Sequence, residues 1–134
     1  MGILIDSSVL IGFERERTDL ARYVRGREEE EMFLSVISAS ELLHGVHRAS
    51  DAKCKARCLA FVEGLLLSLP VLEIDLATAR SHAQLWSDLA RGGSMIGVHD
   101  FWLAAKCLAH GLRLATRNLR EFKRVAGLET EEWR

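Results

Sequence analysis

Four apolar, strand-like runs in this chain each give way to a helix-like segment at a carboxylate or carboxamide. The first run is Gly2 to Ile5 and ends on Asp6. The second is Met32 to Ile37, with Glu41 just beyond it. Asp100 opens a helical pattern after Ile96-Gly97-Val98-His99, and Asn118 follows the run Leu112 to Thr116. Ile3-Leu4-Ile5 and Phe33 to Ile37 lack the polar alternation of a half-exposed strand, so they suit strands buried on both faces. Strands alternating with helices indicate an α/β fold with a mostly parallel central sheet flanked by helices. In such a sheet the strand-to-helix transitions lie on one edge, where ligand crevices form. Acids that converge there repel each other, so the pattern points to a bound cation.

The periodicity predicts strands at 2–5, 33–37, 71–74 and 112–116. Helices are predicted at about 7–15, 17–26, 39–48, 51–68, 76–91 and 99–110. A short turn of helix follows Asn118, and Leu128 to Trp133 is a candidate edge strand. The single proline, Pro70, sits where a helix stops and a strand starts. Gly111 follows the 99–110 helix as a C-terminal glycine does. The chain of 134 residues, 49% of them hydrophobic, reads as one domain spanning 1–134. That length buries a core without disulfide support.

Net charge is −1, so no global basic field attracts nucleic acid. Fourteen of the 18 basic residues are Arg, which suits bidentate phosphate contacts but also follows from a GC-rich genome. Cys54, Cys58 and Cys107 make an odd count without Cys-x-x-Cys spacing, so they read as ordinary reduced thiols of a cytoplasmic protein. No stretch approaches the ~18 apolar residues of a membrane helix, and no basic n-region marks a signal peptide. The run Glu28 to Glu31 reads as a solvated turn.

Each acid also has a plain structural role. Asp6 can cap the following helix, although Ser7 and Ser8 can do so too. Ser38 and Glu41 have the Ser-x-x-Glu spacing of a capping box. Gly45, one turn beyond Glu41 on the same face, suggests close helix packing. Asp100 suits the first turn of a helix, where the dipole favours an acid. His99 beside it is a turn residue or a proton shuttle. Asn118 and Glu121 again have capping-box spacing, and either can stand as a fourth, weaker ligand. Capping does not explain why acids recur at one edge. Carboxylates are hard donors suited to magnesium or manganese. His44 and His47 imply no third ligand, which disfavours zinc.

These residues resemble the PIN-domain ribonucleases, specifically the VapC toxins of bacterial VapBC toxin–antitoxin pairs. The opening Ile-Leu-Ile-Asp-Ser-Ser-Val-Leu-Ile is similar to the family's start. Ser-Ala-Ser-Glu-Leu-Leu-His-Gly-Val is similar to its second motif, Ile-Gly-Val-His-Asp-Phe-Trp-Leu-Ala-Ala to its third, and Leu-Ala-Thr-Arg-Asn-Leu-Arg-Glu-Phe to its fourth. Val-Ala-Gly-Leu-Glu-Thr-Glu-Glu-Trp resembles the family's usual ending. Four motifs in order across the whole chain are highly specific.

The resemblance implies a PIN-like three-layer fold and a Mg2+- or Mn2+-dependent endoribonuclease. Asp6, Glu41 and Asp100 would be both the catalytic residues and the metal ligands, with Asn118 or Glu121 at a possible fourth position. Many family members have aspartate where Asn118 stands, which lowers the charge of this site by one. Hydrolysis of a phosphodiester by water is implied, leaving a 5′-phosphate and a 3′-hydroxyl. Thr116 and Ser7 would position acids or water. The implied partners are an RNA substrate, transfer or ribosomal, and a VapB antitoxin. The antitoxin would dock in a groove of the 39–68 helices, with Leu42, Leu43 and Val46 as candidate contacts, and place a basic side chain near the acids. A homodimer is expected, joined to antitoxin as a heterotetramer or larger assembly.

Three rivals remain. A haloacid-dehalogenase-like phosphatase needs an aspartate where Ser8 stands. A response-regulator receiver needs a lysine that Thr116-Arg117-Asn118 does not supply. A PIN fold that binds RNA or a partner without cutting it is the third.

Overall fold

A computed structural model describes residues 2–16 and 21–134. It places β1 at Ile3–Ile5, α1 at Ser7–Glu16, α2 at Ala21–Val24, β2 at Met32–Ser35, α3 at Val36–His47 and α4 at Ala52–Ser68. The chain continues with β3 at Val71–Leu72, α5 at Leu76–Gly92, α6 at Val98–His110, β4 at Arg113–Thr116, α7 at Leu119–Phe122 and β5 at Thr130–Glu132. The sheet order is β3-β2-β1-β4-β5, and every neighbouring pair is parallel. The edge strand expected within Leu128 to Trp133 is therefore present as β5.

Burial explains the layers. β1 is central and wholly buried, and its side chains alternate between two cores. Ile3 and Ile5 pack with Leu10, Phe13, Leu34, Leu42 and Val62 under α1, α3 and α4. Leu4 packs with Leu85, Leu89, Phe101, Leu103 and Phe122 under α5, α6 and α7. Helices thus cover both faces, giving the three-layer α/β arrangement. Pro70 lies between α4 and β3 as expected, and Gly111 takes the left-handed conformation that ends α6, at φ 64°.

Several boundaries differ from expectation. α3 starts at Val36, three residues before the predicted start, and β2 ends at Ser35 instead of 37. The reason is Ser35, whose side chain accepts from the Ile37 amide and caps the helix. The Ser38–Glu41 capping box is consequently not formed: Ser38 is fully buried inside α3, and Glu41 lies in its second turn. β3 is shorter than predicted, ending at Leu72, and Asp75 three residues on caps α5. Gly45 does not mark close helix packing. A Cβ there would meet nothing within 4 Å, although glycine costs a helix interior about 1 kcal/mol relative to alanine. The predicted 17–26 helix is seen as α2, and its first four positions lie outside the described residues.

Candidate metal centre

Asp6 leaves the end of β1 and is only 4% exposed. Its carboxylate does not cap α1. Instead Oδ2 accepts from the Thr116 hydroxyl at 2.8 Å and from the Ser8 hydroxyl at 2.8 Å. Each hydroxyl is aimed by the main chain. The Asn118 amide donates to Thr116 Oγ1 at 2.9 Å, and the Arg117 amide donates to Ser8 Oγ at 3.1 Å. A hydroxyl that accepts from a backbone N–H has its own proton left for the carboxylate. The ends of β1 and β4 are thereby locked together, with the main-chain bond from Asp6 N to Ala115 O at 2.9 Å beside them. Arg117 reinforces the junction. Its guanidinium lies where a Cβ on Gly12 would be, and both its terminal nitrogens bond Glu16.

Glu41 reaches the same edge from α3. Its Oε1 accepts from the Ser7 hydroxyl at 3.2 Å, and Ser7 also contacts Asp6 Oδ1 at 3.5 Å. Ser7 therefore touches both acids. His99 Nδ1 stands 3.3 Å from Glu41 Oε2, at the half-exposed rim.

Asp100 sits in the first turn of α6, which Gly97 caps without a side chain. Its carboxyl is pushed up to about 6, first by burial and then by the charges of Asp6, Glu41 and Glu121, with His99 opposing. Three acids from other parts of the chain thus bring their charges to bear on Asp100. Glu121 joins this field from α7. Asn118 makes no side-chain cap, so the second capping box also fails. Its amide nitrogen serves Thr116 instead. Sequence reasoning gave Ser7 and Thr116 their positioning roles but offered Ser8 only as a cap. Its place two residues after Asp6 was the available signal.

The donor set fits a hard cation. It consists of carboxylate oxygens, and the field at Asp100 is one that a positive ion relieves. Among the described residues, no three acidic, histidine or cysteine side chains close on a common point. Magnesium does not require such a cage, because it keeps several waters and uses one or two carboxylates.

Beside Glu41 and His99 a groove of about 700 Å³ opens between α1, α3 and α4. Leu42 and Val46 are buried in the core yet line the floor of this groove, and Leu43 packs against the same core.

Fold and site together define a PIN domain. The sequence profile of the PIN domain family matches residues 3–128. Ribonuclease VapC1 of Rickettsia felis is 33% identical over 96% of this chain and 94% of its own. The tRNA(fMet)-specific endonuclease VapC of Shigella flexneri is 32% identical over 97% and 96%. The crystal structure of DNA-bound VapBC from Salmonella typhimurium superposes with a TM-score of 0.90 at 29% identity, covering 100% of this chain and 99% of that one. The chain belongs to the PIN domain family, among its VapC ribonucleases.

Proposed function

We propose that this protein is a Mg2+- or Mn2+-dependent endoribonuclease and the toxic member of a type II toxin–antitoxin pair. The observation that carries the chemistry is the gathering of Asp6, Glu41 and Glu121 near a part-buried Asp100, whose carboxyl is pushed up to about 6, first by burial and then by those three charges. Asp6, Asp100 and Glu41 would hold the ion, with Glu121 favoured over Asn118 as the fourth contributor because its charge already reaches Asp100. What such an ion supplies when bound is charge neutralisation and polarisation of the phosphodiester toward attack by water. The chain supplies the rest. Ser8 and Thr116 hold Asp6 in one rotamer, and Ser7 spaces Asp6 from Glu41. The first turn of α6 presents amide dipoles that favour the Asp100 carboxylate and an incoming phosphate.

The partners follow from the relatives. VapBC complexes are the structural neighbours, so a VapB-type antitoxin is the proposed inhibitor. A homodimer, assembled with antitoxin as a heterotetramer or larger, is the proposed form. The tRNA(fMet)-specific relative makes transfer RNA the first substrate to test, with ribosomal RNA next. Among the described residues no helix is long and apolar enough to cross a membrane. The proposed site of action is the cytoplasm.

Purified protein incubated with total RNA should cut it with Mg2+ or Mn2+ and stop with EDTA. Asp6→Ala and Asp100→Ala variants that still fold should be inactive. Undiminished cutting by both would remove the metal-centre assignment, and mapped 5′ ends would name the target.

A further inference from the structure

We infer that Arg124 is a positioning residue of the metal centre: its guanidinium ties α7, which carries Glu121, to the 93–97 segment, which leads into α6 and Asp100. The inference rests on the metal-centre reading above and names the side chain that fixes the spacing of two of its acids. Arg124 lies two residues beyond the end of α7. Its Nη1 donates to the Met95 carbonyl at 2.8 Å and stands 3.8 Å from Glu121 Oε2. One nitrogen thus reaches both a carboxylate of α7 and the backbone that precedes α6.

The segment has few other fastenings. Gly93 takes the left-handed conformation that ends α5, at φ 70°, and Gly97 begins α6 without a side-chain cap. The amides of Gly93 and Ser94 bond back to α5, and Ile96 is buried. Met95 between them is exposed. Among the described residues, the bond from Arg124 is the only side-chain hydrogen bond the segment receives. Where this backbone lies matters to Asp100. A Cβ on Gly97 would stand 3.5 Å from Asp100 Oδ2, so the carboxylate rests against the last residue of the segment. The Phe101 amide donates to the Gly97 carbonyl at 3.0 Å and joins the segment to the first turn of α6. On the other side, buried Phe122 and Val125 anchor the stretch around Arg124. Arg124 is also the one cationic partner of Glu121 among the described residues.

Charge alone argues the opposite way. An arginine near a cation site repels the cation, so its removal should tighten binding. Positioning predicts weaker binding, because ligands no longer held in place must be ordered by the ion. The sign of the change therefore separates the two. An exposed ion pair adds little to stability, so the effect should fall on the ion rather than on the fold.

The test titrates Mn2+ into the protein without RNA and reads the free ion by electron paramagnetic resonance. Arg124→Ala should weaken Mn2+ binding about tenfold, the loss typical when a residue that orients a ligand is removed. Its melting temperature without the ion should stay near that of wild type. Arg124→Met keeps the aliphatic stem without the donor, should behave alike, and carries the comparison if the alanine variant folds poorly. Arg120→Ala removes a neighbouring exposed charge from α7 and should bind Mn2+ as wild type does or more tightly. Unchanged or tighter Mn2+ binding in Arg124→Ala and Arg124→Met overturns the inference, as does equal weakening in Arg120→Ala. If wild type binds Mn2+ and Asp100→Asn binds it far more weakly, those results remove the role of Arg124 alone. Wild-type protein that takes up no Mn2+, or Asp100→Asn that takes it up equally well, removes the metal-centre reading and this inference with it.

Discussion

The Thr116 hydroxyl, at the end of β4, donates to Asp6 Oδ2, at the end of β1, at 2.8 Å. Both residues are buried, and the two elements are far apart in sequence. Thr116→Val keeps the shape and removes the donor. It also strips the Asn118 amide of its acceptor. Leaving buried polar groups unpaired costs about 1–3 kcal/mol. Urea unfolding should show a loss of that size, and cleavage should fall at least tenfold as Asp6 loses its fixed rotamer. Thr116→Ser should restore both. A Thr116→Val protein with wild-type stability and rate would show that Ser8 alone suffices.

The raised Asp100 carboxyl has a definite sign in stability. Its folded value of about 6 lies above its ordinary 3.8, so the folded protein binds the proton more tightly than the unfolded chain. This group's contribution is present below about pH 4 and is lost as pH rises through about 6. Carboxyl 13C NMR of cation-free protein should place the Asp100 midpoint near 6. Glu121→Gln should lower that midpoint, since Glu121 is among its causes. Added Mg2+ should lower it further. A midpoint near 4 that neither change moves would contradict the proposed acid cluster.

Asp100→Asn separates stability from function. Asparagine removes one member of a repelling group, so at pH 8 without divalent ions the variant should be more stable than wild type. With Asp100 only partly buried and so partly screened by solvent, the gain should be ~1 kcal/mol. Mg2+ should raise the melting temperature of the wild type and have little effect on the variant. Thermal melts with and without Mg2+ check both statements. A variant that Mg2+ stabilises as strongly as wild type would place the ion elsewhere.

How much of this was legible in the sequence depends on the residue. Asp6 stood out because a buried parallel strand leaves few polar positions at its end. The strand-like run Ile96 to His99 is not a strand, because α6 starts at Val98, and Glu41 lies in the second turn of α3, so those two acids reach the edge from helices. The start of α3 did not stand out, because Ser38-x-x-Glu41 fits a capping box as well as any true one. The actual cap, Ser35, lies inside an apolar run that reads as strand. Glu121 and Asn118 were indistinguishable by spacing. The packing of α7 against α6 brings the Glu121 charge to bear on Asp100, an effect the neutral Asn118 side chain does not have. The groove was partly readable. Gly45 was visible as an anomaly, but its open side depends on how α1 and α4 flank α3, which no local pattern encodes.

The last prediction concerns the far edge of the sheet. Glu131 on β5 accepts from both terminal nitrogens of Arg27, at 2.8 and 2.7 Å, and from Arg113 at 2.6 Å. Trp133 Nε1 donates to it at 3.2 Å, and the Trp133 ring stacks on Tyr23 with centroids 4.8 Å apart. This network holds β5 in the sheet, and β5 in turn supports β4, which carries Thr116. The Arg27 bonds, followed by those from Arg113 and Trp133, hold the Glu131 carboxyl down to about 2 from its ordinary 4.5. A depressed acid contributes stability that is present above about pH 4.5 and is lost as pH falls toward 2. Glu131→Gln should therefore cost about 2 kcal/mol at pH 7, as a networked and part-buried set of charged hydrogen bonds does. The deficit relative to wild type should shrink steadily as unfolding is measured at pH 4, 3 and 2. A deficit independent of pH would mean that Glu131 acts through packing rather than through its charge.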